Sequence, residues 1–92
     1  MKPTASYDKA GIRTLADNKP IVYRIQNQNG KDLYVGTAKR GRAHAIIMEH
    51  LGAIPGATVT IRQFDSLEEA RTVEQRIINR NQPKFNRRDR SA

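Results

Sequence analysis

Cysteine and tryptophan are absent from the 92 residues. Without cysteine there can be no disulfide scaffold, thiolate zinc site or cysteine nucleophile. Histidine occurs twice, at His44 and His50, too few for a His-rich metal centre. Aromatics are scarce, with three Tyr and two Phe, so base stacking of the kind used by single-strand binders is not expected to dominate recognition. No apolar run approaches the roughly 20 residues of a membrane span. The opening MKPTASYDKAG lacks the hydrophobic segment of a secretory signal, and the expected compartment is the cytoplasm. Acids are also in short supply: 17 Lys+Arg stand against 9 Asp+Glu, a formal net charge of +8. An excess of that size on so short a chain implies a polyanionic partner, nucleic acid ahead of an anionic membrane surface. The length allows one domain, and the 37% apolar content allows a small core.

The pattern along the chain predicts β-β-α-β-α, a small α+β domain with a three-stranded antiparallel sheet flanked by helices. Residues 1–19 show little periodicity and read as a flexible N-terminal arm, with Ile12 and Leu15 spaced to dock one helical turn. Ile21-Val22-Tyr23-Arg24-Ile25 has the β-branched and aromatic content of a strand, and Asp32-Leu33-Tyr34-Val35-Gly36 is its return. Asn29-Gly30 between them suits a tight turn with positive φ at both residues. Ala43, Ile46, Ile47 and Leu51 recur at helical spacing until Gly52 and Pro55. Thr58 to Phe64 alternates as a third strand, with Val59 and Ile61 on one face. Ser66 and Glu69 form a capping box that opens a helix to about Asn81, with Leu67, Ala70, Val73, Ile77 and Ile78 facing the core. Residues 88–92 are a basic tail.

Three features stand out against this frame. Tyr23 and Tyr34 lie on the two hairpin strands, and Gly36 follows Tyr34; tyrosines also pack well in any strand. Glu74 flanks the apolar stripe of the last helix, where a carboxylate either pairs with a base such as Arg71 or points toward a site. Cations gather in two groups: Lys39, Arg40 and Arg42 by the first helix, and Arg76, Arg80, Lys84, Arg87, Arg88 and Arg90 at the C-terminal end. These suit contacts to phosphate better than mere solvation, given the net charge.

Ile21-Val22-Tyr23, then Tyr34-Val35-Gly36 with the tyrosines eleven positions apart, then Glu74 and Gln82-Pro83-Lys84-Phe85-Asn86, together resemble the GIY-YIG nuclease superfamily. Within it, the N-terminal nuclease domain of the bacterial excinuclease looks closest. The resemblance covers residues 20–87. It implies an endonuclease that hydrolyses DNA phosphodiester bonds with low intrinsic sequence specificity, in DNA repair or restriction. It implies Mg²⁺ (or Mn²⁺) held by Glu74 alone, as befits a hard cation that keeps several waters. Tyr23 matches the proposed general base of the family. A phenol with a pKa of about 10 is a poor base at neutral pH, so nearby cations would have to lower it. Tyr34 matches the tyrosine that orders water and phosphate, Gly36 the motif glycine, and Asn86 the asparagine that ties the C-terminal segment to the site.

Two positions depart from the family pattern. The first motif opens with Ile21 instead of glycine. The family arginine that grips the phosphate stands ten residues beyond the second motif tyrosine, often with a His or Tyr four further on. Here those positions hold His44 and Met48. Either Arg42 takes the arginine's role from a shifted helix start, or His44 substitutes as a weaker phosphate donor, or the phosphate grip is impaired; the plain reading of His44 and His50 is a surface or packing residue. The alternative to a nuclease is a catalytically weak or silent module of the same fold that docks nucleic acid. A single domain supplies one site and one strand cut, so double-strand cleavage or sequence specificity would need a partner protein or a second copy.

Overall fold

The computed structural model describes residues 3–86. The elements in order are β1 (Thr4–Ser6), α1 (Lys9–Arg13), β2 (Ile21–Gln26), β3 (Asp32–Ala38), α2 (Ala43–Glu49), β4 (Thr58–Gln63) and α3 (Leu67–Asn81). The strands form one antiparallel sheet in the order β1-β4-β2-β3. The α+β class stands, but the sheet has four strands instead of three. The additional strand is β1, whose Thr-Ala-Ser sequence carries no apolar alternation. It is placed by the free edge of β4, with Thr4 opposite Thr60 and Ser6 opposite Thr58. The expected arm over residues 1–19 is thus, from residue 3 onward, part of the folded domain. Asp8 caps α1 by accepting from the Gly11 amide at 2.7 Å, and Ile12 and Leu15 are buried.

β2 is one of the two inner strands and is buried on both faces over Ile21 to Tyr23. Ile21, Tyr23 and Ile25 point to one side, into a core shared with Tyr7, Ile12, Ile47 and Val59. Val22 points to the other and packs with Val35, Ala70 and Ile78 under α3. This is the period-two rule acting on a strand covered on both sides. α1 and α2 cover the first face and α3 the second.

The hairpin turn differs from the tight turn expected of Asn29-Gly30. Only Gly30 has positive φ, at 80°, and the loop is organised by Asn27. Its side-chain oxygen accepts from the amides of Asn29 and Lys31 at 2.9 and 3.0 Å, and its carbonyl accepts from Gly30. A polar side chain able to mimic a backbone turn has outcompeted the two-residue form. α3 follows its expected bounds. Ser66 accepts from the Glu69 amide at 3.2 Å, and the helix ends at Gln82 in the left-handed region (φ 43°) just before Pro83. No helix among the described residues is long and apolar enough to cross a membrane.

Candidate active site

The site lies at the β3 edge of the sheet, and its geometry begins with Gly36. β2 and β3 pair Tyr23 directly with Gly36. The Tyr23 ring crosses β3 over that glycine: a Cβ there would lie 2.5 Å from the phenol oxygen and 2.6 Å from Cζ. Any larger residue would block the crossing, so Gly36 is set by close approach. Tyr34, two residues earlier on the same strand, projects to the same face, and the two tyrosine rings stand 6.1 Å apart.

The third ring is His50, at the C-cap of α2. Its Nε2 lies 2.9 Å from the Tyr23 hydroxyl, and its ring centroid is 4.7 Å from that of Tyr34. His50 is the ring that counting along the chain did not bring to the tyrosines. Ten residues from Tyr34 leads to His44, and four more to Met48, two short of His50. α2 therefore meets the tyrosines two positions later than the ungapped spacing implies.

Tyr23 is 2% exposed. Burial pushes its phenol well above the ordinary value of 10.0, and Tyr34, the Glu74 charge, a hydrogen bond with Tyr34 and the Glu49 charge all push the same way. The cations that were expected to lower it are not what acts on it. In this protein the phenol is a firmly held hydroxyl, and proton traffic through it needs an acceptor next to it.

Glu74 comes from the middle of α3 and is half-buried. Burial raises its carboxyl above the usual range, against the opposing influence of Arg71 and a hydrogen bond with Gln75. Among the described residues it makes no ion pair. Among those residues, too, no cluster of three His, Asp or Glu could hold a metal. A cation here would rest on Glu74 as its one carboxylate ligand, with water and phosphate oxygens completing the shell. That donor set fits Mg²⁺ and does not fit a Zn²⁺ cage.

The remaining sequence candidates separate by where they lie. Asn86 is buried and clamps Val35, the neighbour of Tyr34. Its Oδ1 accepts from the Val35 amide at 2.7 Å and its Nδ2 donates to the Val35 carbonyl at 2.9 Å. His44 is turned away from the tyrosines: its Nε2 donates to the Leu15 carbonyl at 2.7 Å, which ties α2 to the loop after α1. Arg42, the N-cap residue of α2, is exposed and lines an open cleft of about 480 Å³ with Lys39 and Arg71. Arg40, Arg76, Arg80 and Lys84 are exposed, with Lys84 5.8 Å above the Phe85 ring. Arg87, Arg88 and Arg90 lie outside the described residues.

One further polar centre escaped the sequence reading. Asp32, 5% exposed, receives Arg24 through Nε at 3.0 Å and Nη2 at 2.9 Å. It also accepts from Gln26 at 3.0 Å and from Asn81 at 2.7 Å. Burial alone would raise its carboxyl, but the bonds from Arg24, Asn81 and Gln26 outweigh it and hold the group below its ordinary range. It ties the end of α3 to the start of β3.

No family model and no curated protein matches the sequence. Among solved structures, the chain is similar to the GIY-YIG N-terminal endonuclease domain of UvrC from Thermotoga maritima bound to its catalytic divalent cation, magnesium. The TM-score is 0.65 at 24% identity, over 80% of this chain and 93% of that one. Two point mutants of the same domain, each bound to its catalytic divalent cation, give TM-scores of 0.65 and 0.62, at 24% identity and 92% coverage of their chains. The chain has the fold of the GIY-YIG endonuclease domain.

Proposed function

We propose that this protein is a divalent-metal-dependent endonuclease that hydrolyses DNA phosphodiester bonds one strand at a time. The observation that carries the reading is the contact of Tyr23, Tyr34 and His50 at one sheet edge, within the electrostatic reach of Glu74, on the fold of the UvrC endonuclease domain. Each residue type matches a need of the reaction. A Mg²⁺ or Mn²⁺ ion bound at Glu74 would supply charge stabilisation at phosphorus and at the leaving oxygen. Tyr34, half-buried beside the phenol of Tyr23, orders the attacking water and a phosphate oxygen. Tyr23 takes the proton of that water as it passes its own phenolic proton to Nε2 of His50, 2.9 Å away. The phenol begins and ends the transfer neutral, so its raised pKa is no obstacle. Imidazole is the side chain whose titration lies closest to neutrality, which makes it the fitting terminus.

Weak intrinsic sequence preference is part of the same proposal. Specificity or double-strand cleavage would come from a partner protein or a second copy. Plasmid nicking in Mg²⁺ and in EDTA tests the reading. Conversion of supercoiled to open-circular DNA should require the metal and should fall by several orders of magnitude in folded Glu74→Ala. Metal-independent nicking, or full activity of Glu74→Ala, would overturn it. A protein that binds DNA and never nicks would be the silent docking module instead.

A further inference from the structure

The cleft beside the site brings together cations from three different elements. Lys39 follows the end of β3, Arg42 is the N-cap of α2, and Arg71 stands in the first half of α3. Ile46, Leu67 and Thr37 also line it. Lys39, Arg42 and Arg71 are exposed, and among the described residues none of them pairs with a carboxylate; the ion pairs that do form are Lys19–Asp65 and Arg24–Asp32. Like charges converging without a counterion are mutually unfavourable, so the arrangement is one that an anion would stabilise. The second cavity, about 300 Å³ between α3 and β4, offers a contrast. Its Arg24 is committed to Asp32, and its Arg62 lies 5.1 Å over the Phe64 ring.

Arg71 is the informative member. It precedes Glu74 by three residues on α3, so the two share one helix face. Its charge is felt at the Glu74 carboxyl, yet it does not close an ion pair there and lines the cleft instead. From spacing alone, its only expected role was as a structural partner for Glu74.

We infer that this cleft is a phosphate subsite for the DNA strand lying across the active site. Arg71 and Arg42 grip a backbone phosphate next to the one positioned at Glu74, and Lys39 adds charge. The inference rests on the nucleic-acid reading of the site and names residues that hold the strand. It is independent of whether the chain cleaves. A guanidinium offers a planar fork to two phosphate oxygens, and two of them on separate helices would fix the strand's direction past Glu74.

The test is binding of a short DNA duplex in EDTA, read by fluorescence anisotropy over a range of salt. Arg71→Ala and Arg42→Ala should each weaken binding by about tenfold and make the slope of log affinity against log salt shallower by about one. Lys31→Ala, an exposed cation at the opposite end of β3, should change neither. Arg71→Lys should restore the salt slope while recovering affinity only in part, a rescue that a merely structural loss would not permit. Thermal melts of each variant establish that the fold is kept. If Arg71→Ala binds with the affinity and salt slope of Lys31→Ala, or Arg71→Lys fails to restore the slope, the subsite is wrong. Failure of the nuclease reading would look different: no Mg²⁺-dependent nicking by the wild type, with the Arg71 and Arg42 effects on binding intact.

Discussion

On the proposed mechanism, the Tyr23–His50 contact decides which group takes the proton. Were Tyr23 to act alone, its raised phenol pKa would make cleavage climb with pH across the whole accessible range. With His50 as the terminal acceptor, the rate should stop climbing before the alkaline range in which a phenol ionises. His50→Ala should lower the rate by about 10²–10⁴-fold and convert the plateau into a continuing rise. A wild-type profile still climbing at pH 9, unaltered in shape by His50→Ala, would remove histidine from the mechanism. Glu74 yields a second outcome at this scale. Burial raises its carboxyl above the ordinary 4.5, so the folded protein binds that proton more tightly than the unfolded chain. Its contribution to stability is fully present below pH 4.5 and is lost as pH rises through the raised value. At neutral pH the metal-free protein therefore carries an unfavourable buried charge. Glu74→Gln should melt at or above the wild-type temperature in EDTA at pH 7, and Mg²⁺ should stabilise the wild type alone. A clear loss of stability in EDTA would mean that the carboxylate serves the fold.

At the scale of elements, the short helix α2 carries both Arg42 and His50 and is held by groups distant in sequence. Its N-cap, Arg42, makes no side-chain capping bond. The cap is supplied by Asp17, whose Oδ1 accepts from the Ala43 amide at 3.0 Å and whose carbonyl accepts from Gly41. Asp17→Ala should remove about 1 kcal/mol of stability, measurable by urea unfolding, and should weaken DNA binding because Arg42 rides on the frayed turn. Unchanged stability would show that α2 is held by Ala43 and Ile47 packing alone. The same distinction explains what was legible in the sequence. The hairpin and α3 follow from local signals: β-branched residues, a Ser66–Glu69 cap, a terminating Pro83. Tyr23, Tyr34, Gly36 and Glu74 were legible as a set only through the resemblance to the GIY-YIG pattern, since each alone fits an ordinary strand or helix position. β1, the Asp17 cap, the Asp32 cluster and the Tyr23–His50 contact were not. Each joins segments whose own patterns are neutral, and only the closed fold brings Asp32 to Asn81 or Tyr23 to a histidine 27 residues away.

For the whole molecule the governing quantity is charge. A formal +8 on one small domain exceeds what the fold uses, since among the described residues only Lys19 and Arg24 are bound in ion pairs. The remaining exposed cations are available to phosphates, and each phosphate neutralised releases counterions from the duplex. If about six are neutralised, log affinity should fall with log salt at a slope of about −5, measured on a short duplex in EDTA. The slope reports the number of contacts and not their arrangement, so it should be nearly the same for duplexes of unrelated sequence, as expected where base edges contribute little. A steep slope that also depended strongly on sequence would reveal base readout that the described residues do not suggest. A slope near zero would remove nucleic acid from the account, and with it the reason for so basic a chain to gather two tyrosines and a histidine at one sheet edge within the field of Glu74.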